Sequence, residues 1–165
     1  MTSNDYETNG QPPQDRYESF AAFWPYYLSE HSVPRCRHVH FIGTSGFVIY
    51  LVSLLIDQPM LIIPLGISIF IGSLAFSSEA KRNAAWALLL MIGLMVYFEP
   101  RFIYGVLFAY AFAWVGHFII EHNRPATFTY TLWSLAGDFK MCSQMWRGQL
   151  WTNSSSSFPH FPTQD

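Results

Sequence analysis

Five of the six histidines in this 165-residue sequence fall into two groups. His31, His38 and His40 stand in YYLSEHSVPRCRHVH, and His117 and His122 stand beside Glu121 and Arg124 in GHFIIEHNRP. Imidazole and carboxylate side chains suit a divalent ion such as iron(II), manganese or zinc. His117 and Glu121 are four residues apart, so on a helix they occupy adjoining parts of one face, as ligation by a helical His-x-x-x-Glu requires. His31 and His40 are nine apart, which puts them on opposite sides of an unbroken helix. Pro34 lies between them, biases Val33 away from helical geometry and removes a backbone donor, so a bend there can aim both rings at one point. His38 and His40 point apart on a helix, and only one of them is expected in the site. Cys36 and Cys142 form no metal-spacing pattern and read as reduced, inert thiols. His160 belongs to the tail and is set aside.

The elements that must position these residues are apolar. The chain is 51% hydrophobic and 12% charged, whereas a soluble domain is about 25% charged. Its net charge of -2 supplies no basic field for a polyanion, so nucleic acid is excluded as a partner. Four runs, residues 41–56, 60–76, 84–98 and 102–120, contain no Asp, Glu, Lys or Arg. The longest approaches the roughly 20 residues that cross a bilayer core, and tilt or flanking residues complete the others. The expected fold class is therefore all-α, an integral membrane bundle of about four transmembrane helices with flanking interfacial helices. Residues 1–16 and 152–165 read as disordered tails around a membrane domain at residues 17–151.

Orientation follows from the basic residues. If all four runs cross, Arg16, Arg35, Arg37, Lys81, Arg82, Arg124, Lys140 and Arg147 share one side and Arg101 stands alone on the other, which puts both termini in the cytoplasm. On that topology the sequon at Asn153 is never glycosylated. An even number of crossings returns the chain to the face it left, so both histidine groups meet at one cytoplasmic membrane surface. Ala109, Ala113 and His117 follow at four-residue spacing, small residues that let helices approach closely and turn His117 toward the bundle. Ionisable residues at that depth are functional candidates.

Together, YYLSEHSVPRCRHVHFIGT and WVGHFIIEHNRPATFTYTLWSLAGDFKM resemble a family of small multi-span membrane proteins, the 2-hydroxy fatty acid dioxygenases. The matching positions are His31, His40, Gly116, His117, Glu121, Arg124, Pro125 and Ala126. The resemblance implies an Fe(II) cofactor and cleavage of the C1–C2 bond of a 2-hydroxy fatty acid by O2, with membrane lipid as surroundings. It implies residence in the endoplasmic reticulum of a eukaryote or the inner membrane of a bacterium.

Within that frame His31, His40 and His117 are the expected iron ligands, and Glu121 is a fourth ligand or the group that orients one. Arg124 is the counter-charge for the substrate carboxylate, and Asp138 supports a ligand from behind. Two alternatives are a membrane di-iron desaturase or hydroxylase, suggested by the His117 to His122 spacing, and a structural or lipid-binding membrane protein whose His and Glu residues anchor helix ends.

Overall fold

The computed structural model describes residues 16–153. Most of the two expected tails, with His160, lies outside the described residues. Among the described residues all regular structure is helical. In order come α1 (Phe20–Ser29), α2 (Pro34–Asp57), α3 (Ile62–Phe76), α4 (Ala85–Phe98), α5 (Phe102–Trp114) and α6 (Thr131–Trp146). α2 begins before its uncharged run because Pro34 suits the first helical turn, where no intrahelical N–H is needed. α5 continues without a break into a π-helical segment, Val115–Glu121.

Three stretches are long and apolar enough to cross a membrane: Pro34–Asp57, Pro59–Ala80 and Phe102–Glu121. α4 is as apolar but has 14 residues, about 21 Å against a hydrocarbon core of about 30 Å. The expected set of about four spanning helices is thus three full-length helices and one short one. Ile49, Ile56, Leu74, Leu89 and Ile119 on these helices point outward and are more than 60% exposed. An apolar surface so widely distributed suits lipid, since soluble monomers expose only limited apolar patches.

α2 packs along α5, and α3 along α4, while α6 lies across α2, α3 and α4 and also meets α1. The bundle is therefore two helix pairs bridged at one end. That end is tied by Glu79, which is buried and accepts hydrogen bonds from the backbone N–H groups of Ala84, Thr131 and Leu132. Aromatic packing of Phe23, Tyr27, Tyr130 and Trp133 joins α1 to α6, with the Tyr130 and Trp133 rings stacked at 5.6 Å. At the opposite end Arg101 donates to Asp57 at 2.6 Å and to Glu99 at 2.9 Å, and Gln58 donates to Glu99 at 2.7 Å. This polar knot clamps the α2–α3 turn to the α4–α5 turn.

Candidate metal centre

The break at Pro34 does what its position predicts. α1 ends at Ser29, His31 sits in the turn, and α2 carries His40 two turns in. Arg37 is buried and donates to the carbonyls of His31 and Ser32 at 2.7 and 2.9 Å, which fixes the turn. Because α5 runs antiparallel to α2, its end brings His117 to the same level. The ring centroids of His31, His40 and His117 lie 4.5, 4.7 and 5.1 Å apart, and all three residues are buried.

Each ring is held through Nδ1. His31 Nδ1 meets the Tyr27 carbonyl at 2.7 Å, His40 Nδ1 meets Asp138 Oδ1 at 3.0 Å, and His117 Nδ1 meets Asn123 Oδ1 at 2.8 Å. The orientation of Asn123 is settled by its Nδ2, which donates to the Glu30 carbonyl and carboxylate. All three partners of the rings are acceptors, so Nδ1 carries the proton and Nε2 keeps its lone pair. His31 Nε2 and His40 Nε2 are buried and lack a hydrogen-bond partner among the described residues. Leaving a buried acceptor unsatisfied costs about 1–3 kcal/mol. A divalent ion accepting those lone pairs removes the cost, and the fixed outer partners are those that metal-binding histidines use. Burial, reinforced by His40 and His117, holds the His31 pKa well below the usual histidine range, so the ring stays neutral, as a ligand must.

The backbone is cut to fit these rings. A Cβ on Gly116 would lie 2.9 Å from His40 Cδ2, 3.0 Å from His40 Nε2 and 3.0 Å from Cys36 Sγ. The π-helical segment ends at His122, whose φ of 55° reverses the chain, and Asn123 N–H then bonds the His117 carbonyl at 3.0 Å. That reversal brings the Asn123 side chain back to His117. π-helical turns inside α-helices often mark functional sites.

Asp138 accepts from the Tyr27 hydroxyl as well as from His40, while the Tyr27 ring stacks on His31 at 4.2 Å. One carboxylate thus braces two of the rings. Glu121, expected as a ligand or an orienting group, has its oxygens engaged by Val33 N–H at 2.7 Å and the Ser32 hydroxyl at 3.1 Å. Its placement is that of a brace on the His31 turn. Arg124 is exposed, with its guanidinium 5.1 Å from the Phe128 ring centroid. His38 turns away to the Trp151 carbonyl at 3.1 Å, and His122 is exposed at the helix end. The histidine pair that suggested a di-iron box is therefore split between the buried cluster and the surface.

Cys36, expected as a reduced, inert thiol, is free and buried, and it lies beside the histidines. Its sulfur and ring nitrogens of His31 and His40 lie within 4.8 Å of one another. Cys36 precedes His40 by four residues and so shares its helix face, a signal present in the spacing. Asn123, Tyr27 and Arg37 are functional neighbours that the sequence reading missed. Asn123 was concealed because the π-helical turn shifts which residues return to His117.

A cavity of about 670 Å³ opens from the histidines into the space between the two helix pairs. His31, His40, His117, Tyr27 and Asp138 form the polar group at its head, and Thr44, Ser68, Asn83 and Tyr110 add polar atoms along its wall. Most of the rest is apolar, from Phe47 and Leu51 on α2 to Met95 on α4 and Val106 on α5. Pro125, Ala126, Thr127 and Phe128 also line it, which sets Arg124 at its rim. An apolar cavity with a few convergent polar groups is the usual form of a small-molecule site.

The family model described as 2-hydroxy-palmitic acid dioxygenase Mpo1-like matches residues 17–150, a span that includes both histidine groups and α6. The chain belongs to the Mpo1-like family. Neither a curated protein nor a solved structure matches it. In this chain the three buried histidines stand at the head of a largely apolar cavity.

Proposed function

We propose that this protein is an iron(II)-dependent dioxygenase of 2-hydroxy fatty acids. It takes a 2-hydroxy acid and O2 to a fatty acid one carbon shorter, carbon dioxide and water, breaking the C1–C2 bond. The observation that carries this reading is the trio of His31, His40 and His117, with two orphaned buried Nε2 atoms, opening onto a lipid-like cavity. His31, His40 and His117 would hold iron(II), which would supply open coordination positions and a redox path to dioxygen, while the four electrons that reduce O2 come from the 2-hydroxy acid itself.

The remaining roles belong to the chain itself. Asp138, Asn123 and the Tyr27 carbonyl keep the Nδ1 protons in place and the rings in register. Glu121 and Arg37 hold the turn that presents His31. The apolar walls exclude water and align the acyl chain, and Arg124 at the rim attracts the carboxylate as the acid approaches. A head group at the membrane surface with its tail among the spans fits a topology with both termini cytoplasmic, in the endoplasmic reticulum of a eukaryote or the inner membrane of a bacterium.

The test is anaerobic purification in detergent, loading with Fe(II), and measurement of O2 uptake and CO2 release with a long-chain 2-hydroxy acid. The wild type turns over and His31→Ala and His117→Ala do not. Undiminished turnover by both variants excludes the proposed centre.

A further inference from the structure

The cavity has a measurable depth. On α2 its wall is His40, Thr44, Phe47 and Leu51, about 16 Å along the helix. On the opposite wall it runs from His117 to Phe102, about 22 Å by the same rise. It ends where Leu51, Leu65, Met95 and Phe102 join the closed apolar cluster that also contains Leu54 and Leu61. Met95 and Phe102 are almost fully buried there, 2% and 6% exposed. The polar knot of Arg101, Glu99 and Asp57 lies just beyond, so the end is anchored.

Half of a bilayer hydrocarbon core is about 15 Å, the span of one lipid acyl chain. At about 16 Å on one wall and about 22 Å on the other, the cavity is deep enough for one extended acyl chain, with the head at the histidines and the methyl end against α4 and α5. We propose that Met95 and Phe102, backed by Leu51, form a floor that sets the upper chain length of the acid. This inference rests on the reading that a fatty acid occupies the cavity.

The floor has a specific signature. A chain that leaves lipid for the cavity gains little from burial, because both surroundings are apolar. Affinity is then nearly flat with chain length until the methyl end meets the floor, where overpacking produces a drop of about tenfold or more. Val106, one turn above Phe102, raises the floor when enlarged, and Met95 lowers it when truncated.

The experiment measures displacement of a fluorescent fatty acid from metal-free protein in nanodiscs by saturated 2-hydroxy acids of increasing length, in parallel with turnover of the Fe(II)-loaded protein. Val106→Phe is expected to lose the longest acids about tenfold while keeping shorter ones, and Met95→Ala to bind acids beyond the wild-type limit. An unchanged length limit in Met95→Ala, with equal weakening at every length in Val106→Phe, overturns the floor. A gain of longer acids by Met95→Ala cannot come from misfolding. Length-limited binding without any turnover retires the dioxygenase reading and leaves the floor standing; turnover with one limit in all three proteins retires the floor alone.

Discussion

Gly116→Ala puts one methyl group into the tightest part of the centre. The added Cβ stands 2.9–3.0 Å from two atoms of the His40 ring and 3.0 Å from Cys36 Sγ, whereas non-bonded carbon atoms are comfortable at about 3.5–4.0 Å. The overlap is therefore about 0.5–1 Å, and the ring cannot swing away freely because Asp138 holds its Nδ1. Overpacking of this kind costs about 1–3 kcal/mol, and a ligand displaced by more than about 0.5 Å leaves productive geometry. Disturbing what orients a metal ligand typically lowers affinity about 10- to 100-fold, and that is the expected loss. Gly43→Ala is the control: its Cβ would meet Phe112 Cβ at 2.9 Å and the Ala109 carbonyl at 3.2 Å, between α2 and α5. Both variants are expected to lower the melting temperature. Titration with Co(II), followed by visible absorption and calorimetry, is expected to show weak binding for Gly116→Ala alone. Equal Co(II) affinity in Gly116→Ala and wild type would refute the claim that the His40 ring is a ligand packed against that glycine.

Asp138→Asn removes the negative charge behind His40 and is expected to weaken metal binding about 10-fold or more, with Tyr27→Phe giving a smaller loss in the same titration. Burial and the nearby Glu121 push the Glu30 carboxyl up to about 7. A carboxyl pKa raised on folding favours the native state below the unfolded value of about 4.3, and that contribution is lost as pH rises through the folded value. Metal-free wild type is thus expected to lose about 3 kcal/mol relative to Glu30→Gln between pH 4 and pH 8, read as the difference between their unfolding curves; parallel curves would refute the shift. Cys36→Ser is expected to keep the full metal stoichiometry, since the three histidines are the proposed ligands; loss of the ion on elemental analysis would add sulfur to the ligand set.

Spacing alone made much of this architecture legible. Charge-free runs located the helices, Pro34 located the bend, and the return of the chain to one face brought His31 and His40 to His117. What stayed hidden has physical causes. α3, α4 and α5 are apolar all round, so no polar stripe in their sequences marks which faces meet or where a cavity lies between them. The π-helical turn at Val115–Glu121 and the left-handed residue at His122 changed the register after His117, which a regular helical count does not foresee. Glu121 keeps its place near the centre, yet Val33 and Ser32 claim its oxygens, and pairwise spacing carries no information about competing donors. Arg124 shows the same limit: its neighbours line the cavity while its own side chain lies over Phe128.

The central claim is that His31, His40 and His117 jointly hold one ion, and metal content tests it most directly. Anaerobically purified wild-type protein loaded with Fe(II) and desalted is expected to retain one iron per chain, and His31→Ala and His117→Ala to retain almost none while still folding as judged by helical circular dichroism. Wild-type protein that emerges without metal, or variants that keep a full complement of iron, would contradict the account.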